Sequence, residues 1–116
     1  MKTIYGGYFP EEQFEEYKKK MHKEMFWLLI YKDPRTKDDY LYVDFEKYFI
    51  GLMKKLNGLN ALFSYPVEMV SIMGLLQGAY LETQKENFDY SIYRKLVLDA
   101  HALVDQIGKN EGTGNE

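Results

Sequence analysis

Phe45, Phe49, Leu52, Leu56, Leu59 and Phe63 recur at alternating steps of four and three residues. Only a helix puts such positions on one face, and this heptad-like spacing belongs to helices packed at shallow angles. Asp44 supplies an N-cap for the segment. Asn57-Gly58 is a stop signal, yet the apolar seam runs through it unbroken. One helix as far as Phe63 is preferred over a stop at Gly58, at a cost of about 1 kcal/mol for an interior glycine.

Three more segments carry a helical period. The first opens at Pro10, which suits a first turn, and carries Phe14, Tyr17, Met21, Met25 and Leu28 on one stripe before Asp33-Pro34 ends it. Glu15–Lys19 and Glu16–Lys20 pair at i,i+4, so Lys18, Lys19, Lys20 and Lys23 are expected on a solvated face rather than in a phosphate-binding patch. From Met25 to Tyr31 the segment is apolar on every side, which implies burial all round by its own domain or by a second chain. Tyr40-Leu41-Tyr42-Val43 could form a short strand, but no partner strand is evident. A third helix restarts at Pro66 and carries Met69, Val70, Met73, Leu76, Ala79 and Tyr80 to about Thr83. Gly74 and Gly78, four residues apart, mark close helix packing within the fold or, alternatively, a self-association face. The fourth follows Asp89 with Ile92, Tyr93, Leu96, Ala100, Leu103, Val104 and Ile107, and stops at Gly108.

Similar lengths and short connections predict an all-α, antiparallel four-helix bundle. Residues 1–9 form an N-terminal aromatic arm, 10–108 a single helical domain, and 109–116 a disordered tail with nothing apolar to bury. The arm, with Tyr5, Tyr8 and Phe9 around Gly6-Gly7, is too aromatic to dangle and is expected to lie against the bundle or a partner.

Composition narrows the function classes. The 116 residues contain no cysteine, which excludes disulfides, thiolate metal sites and thiol catalysis and makes a reducing compartment the default. No apolar run approaches the roughly 20 residues of a membrane span, and no signal-peptide core is seen; a cytoplasmic location is expected. Net charge is −3, which offers a polyanion nothing overall. Aromatics, at 16%, include 11 Tyr and 7 Phe, more than a core of this size requires, and Tyr suits a boundary.

Chemistry is sparse. The two histidines are His22, expected on a polar face, and His101, one helical turn from Asp105. Two ligands make a poor metal site, and an ion pair accounts better for that spacing. No metalloprotease, P-loop, dinucleotide or nucleophile-elbow motif is found, so no cofactor and no metal are expected. Arg94 and His101 lie seven residues apart, an arrangement that resembles the widest form of the R-x(4–6)-H motif of HEPN ribonucleases, themselves small helical bundles. The spacing exceeds the commoner four residues, and Lys95 stands where a polar residue often follows the arginine. The resemblance implies that Arg94 binds the scissile phosphate and His101 does acid–base work across a dimer. A nucleic-acid-binding helical protein is a further alternative, although helix 4 sets Arg94 and Lys95 against Asp99 and Asp105.

The favoured expectation is a non-enzymatic helical interaction module, self-associating as a homo-oligomer or docking on a protein partner, in keeping with an accessory protein of a bacterium or phage. Tyr5, Tyr8, Phe26, Trp27 and Tyr31 are the candidate partner-binding residues.

Overall fold

Pro10, Asp44, Pro66 and Asp89 each stand immediately before a helix in a computed structural model, which describes residues 3–108. Helix α1 spans Glu11–Lys32, with Glu11 and Glu12 in the first turn, where the positive end of the macrodipole favours carboxylates. Asp33, extended before Pro34, ends it. Side chains satisfy its last carbonyls: Tyr90 donates to Leu29 O at 3.3 Å and Thr36 to Ile30 O at 2.7 Å. A 3-10 turn at Lys37–Tyr40 runs into a turn over residues 41–43 where a strand was possible, and no strand occurs among the described residues.

Helix α2 spans Phe45–Leu62, capped by the Asp44 carboxylate, which accepts the Lys47 N–H at 3.1 Å. It continues through Gly58, so the seam outweighs the stop signal. Helix α3 spans Val67–Thr83, and α4 spans Tyr90–Val104 behind Asp89, which accepts the Ser91 N–H at 2.9 Å. The chain leaves α2 for α3 through Ser64 and Tyr65, both left-handed at φ 61° and 58°.

The helices form an all-α bundle in which each lies beside its neighbour in sequence, and α4 closes against α1. The α3–α4 seam is the tightest and the α1–α2 seam the loosest, with α1 diagonal to α3 and α2 diagonal to α4. Molecular extents are 48 × 23 × 19 Å with a radius of gyration of 15.4 Å, above the roughly 13 Å of a spherical domain of this length. Met25, Leu28, Leu56, Met69, Ile72, Leu76, Tyr93, Val97, Val104 and Ile107 are fully buried.

Several sequence expectations need correction. Lys18 is not on the solvated face: it is buried, with its ammonium 5.1 Å from the Phe14 ring and 3.5 Å from Glu15. The stem covers apolar surface while the head finds a charge and a ring face. Pairing on α1 is i,i+3, Glu15–Lys18 and Glu16–Lys19, rather than i,i+4. On α2 the core position after Leu56 is Asn60, with Leu59 only half-buried, because a helix at 3.6 residues per turn drifts off a strict 3.5 repeat. Val70 and Ile92 face outward, while Ile72 and Val97 are inside. Met25–Tyr31 is not buried all round, since Phe26 is exposed.

The N-terminal arm lies on the bundle. Phe9 packs edge-on against Phe63 and Phe14, with ring centroids 5.4 and 6.2 Å away, and the Ile4 N–H donates to Leu62 O at 2.8 Å. The expected disordered tail, 109–116, lies outside the described residues.

Candidate interaction surface

A surface helix of a soluble bundle ordinarily carries charge on its outer face. Helix α1 does so with Glu11, Glu12, Glu15, Glu16, Lys19, Lys20 and Lys23. Helix α3 does not. Its only charged residues are Glu68 and Glu82, near its two ends, and Glu82 is buried with its carboxylate 3.4 Å from Lys85. The exposed positions between are Val70, Ser71, Gly74, Gln77 and Leu81, with Val67 at the head. Val67, Val70 and Leu81 are 69%, 48% and 55% exposed. These residues share one side of the helix at three- and four-residue steps, opposite the buried Met69, Ile72, Leu76 and Ala79. The helix carries no charge on either side between Glu68 and Glu82, and its own chain covers only one side.

The two glycines of α3 differ in what surrounds them. A Cβ at Gly78 would lie 3.7 Å from Leu96 on α4, an ordinary contact, so Gly78 is where α3 and α4 pack. A Cβ at Gly74 would meet nothing within 4 Å. Close packing inside the chain does not explain Gly74.

The residues singled out for partner contact are not gathered into one patch. Tyr5 and Tyr8 stand exposed on the arm, beside the Phe14 end of α1. Phe26 is exposed about 18 Å further along α1, at 1.5 Å per residue. Trp27 and Tyr31 are half-buried and stacked at 5.6 Å, and Tyr40 and Tyr48 meet the Tyr31 ring edge-on at 5.6 and 5.2 Å. Part of the aromatic surplus is thus spent within the chain. Tyrosine hydroxyls also tie helices to α1: Tyr48 donates to Glu24 O at 3.0 Å and Tyr93 to Leu28 O at 2.6 Å. Burial raises both phenols well above their ordinary range, so they remain donors.

The loose α1–α2 seam leaves a groove of about 370 Å³ floored by Met21, Leu52 and Leu56, with Lys20, Lys54 and Lys55 at its rim. Glu24 and Lys55, 3.4 Å apart, bridge it.

Sequence reasoning missed one polar constellation. His22 is not simply a solvated polar-face residue: its Nδ1 lies 2.8 Å from His101 Nε2, and its Nε2 lies 3.0 Å from Asp105 Oδ1. Asp105, one helical turn from His101, reaches across the seam to His22. Arg94 is exposed two turns before His101 on α4, whose ring faces His22 on α1. Among the described residues, no group of three or more His, Asp or Glu could hold a metal ion, and no helix is long and apolar enough to cross a membrane. Set against protein-family models, curated proteins and solved structures, the chain matches none.

Proposed function

We propose that this protein is a non-enzymatic helical interaction module that binds another protein chain through the outer face of α3. One observation carries the reading: an exposed helix face with Val67, Val70 and Leu81 on it and no ionised residue between Glu68 and Glu82. Exposed apolar residues on a helix face without charge are a candidate interaction surface. Apolar area is also the part of a surface that gains most from being covered, at roughly 25 cal/mol per Å². An uncharged face in a chain of net charge −3 favours a protein over a nucleic acid. A cysteine-free chain fits a cytoplasmic setting, and an accessory role in a bacterium or phage is the context we favour for it.

The test is a photo-crosslinking amino acid placed at Val70 in living cells, with Lys19 on the charged face of α1 as control. A discrete protein adduct at position 70, absent at position 19, is the expected result. No adduct at position 70, or the same adducts at both positions, overturns the reading.

A further inference from the structure

We infer that the groove between α1 and α2 binds a linear apolar chain ending in a carboxylate, a free fatty acid. None of its lining comes from α3, so the inference stands apart from the interaction reading.

The two helices run antiparallel. Phe14 meets Phe63 at one end, with ring centroids 5.4 Å apart, and Glu24 meets Lys55 and, through its carbonyl, Tyr48 at the other. Between those points the seam does not close, and the space left is the groove of about 370 Å³. That volume falls in the range of small-ligand sites, which pair an apolar lining with a few placed polar groups. Buried Met21, Leu52 and Leu56 form the floor, and Leu59, Leu62 and Tyr17 carry it on towards the Phe63 end. From Leu52 to Leu62 the helix rises about 15 Å.

Shape selects a thin occupant. A helix is about 10 Å across and over that length would fill about 1,200 Å³, so even half-sunk it exceeds the space. The Glu24–Lys55 pair, 3.4 Å apart, also spans the groove and bars a helix there. An extended alkyl chain fits the volume and lies beneath the bridge.

Charge selects the head group. Lys20 stands on the α1 rim, and Lys54 and Lys55 on the α2 rim. Glu24 neutralises Lys55, whereas among the described residues no carboxylate pairs with Lys20 or Lys54. In a chain of net charge −3, two unmatched lysines beside an apolar groove favour an anion there.

Gly58 is the third observation. It lines the groove from within α2, where helix propensity favours alanine, and a Cβ there would meet nothing within 4 Å. No contact within the chain calls for the missing side chain, but a ligand lying close against the helix backbone does.

The test uses the purified protein and dodecanoic acid below its micelle concentration. Dodecanol and dodecylamine match the tail but not the head. Titration calorimetry should show a single saturable site for dodecanoate, with dodecanol about tenfold weaker and dodecylamine weaker still. Lys20→Gln and Lys54→Gln should each weaken dodecanoate about threefold, the scale of one exposed charge contact, and leave dodecanol unchanged. Added salt should act in the same way. Gly58→Leu puts a side chain into the groove without a clash at its Cβ. It should abolish uptake while circular dichroism and Tm show the fold intact. Unsaturable uptake, equal binding of acid and alcohol, or undiminished binding by Gly58→Leu overturns the proposal. A silent titration does so too, and a protein adduct at a photo-crosslinker placed at Gly58 in cells would then give the groove to an acidic segment of another chain.

Discussion

His22 and His101 meet across the α1–α4 seam with Nδ1 and Nε2 2.8 Å apart, close enough that one proton must lie between them. Asp105 accepts from His22 Nε2 at 3.0 Å, which leaves His22 Nδ1 as the acceptor for the His101 Nε2–H. Burial, and then the neighbouring His22, lower the His101 pKa, with Asp105 opposing them. The unfolded chain therefore binds the His101 proton more readily than the folded one, so the stability contributed by neutral His101 is present above its ordinary pKa of about 6.5 and is lost as pH falls below it. Charging both rings would also set two N–H groups head to head. Thermal unfolding followed between pH 7.5 and 5 should show Tm falling in the native chain and falling less in His101→Gln. Parallel pH profiles for the two would count against this account.

Tyr93 joins α4 to α1 at a second point, through its 2.6 Å bond to Leu28 O. The ring is fully buried, with Phe45 and Phe88 edge-on at 6.4 and 5.7 Å. Tyr93→Phe keeps that packing and removes only the hydroxyl. The expected loss in urea denaturation is about 1 kcal/mol, the usual worth of one buried hydrogen bond. A change below about 0.3 kcal/mol would show that the bond adds nothing beyond packing.

How much of this was legible follows from the kind of signal each residue carries. The helix starts were, because Pro10, Asp44, Pro66 and Asp89 act within a few residues of themselves. The inner face of α2 was nearly so: only Asn60, sitting where an apolar period would place a leucine, disguises the last turn. The inner face of α3 was not. With Met69, Val70, Ile72 and Met73 in succession, periodicity cannot choose a side, and the side that tertiary packing leaves open is the candidate interface. The His22–His101 contact was equally hidden, since 79 residues separate the rings and neither helix carries a local mark of the other.

Tyr65 and Ser64 make the α2–α3 turn at a conformational cost. A left-handed non-glycine residue is disfavoured by roughly 1–2 kcal/mol, against about 0.5–1 kcal/mol of extra unfolded-state entropy for glycine. Tyr65→Gly should then stabilise the fold by about 0.5–1 kcal/mol, measured by chemical denaturation in dilute protein. Its ring is exposed, so little packing is lost.

Gly58 and Gly74 separate helix propensity from interface demand. Both lie inside helices, and a Cβ at either would meet nothing within 4 Å. Propensity alone makes Gly58→Ala and Gly74→Ala each stabilising, by up to about 1 kcal/mol, in the purified protein. Their effects on the proposed contact should differ. Gly58→Ala lies away from the outer face of α3 and should leave capture of a partner by a crosslinker at Val70 unchanged. Gly74→Ala adds a methyl group to the middle of that face and should weaken capture by about tenfold, the worth of 1.4 kcal/mol. Equal capture by the two variants would mean that Gly74 is as idle in the contact as it is in the single chain.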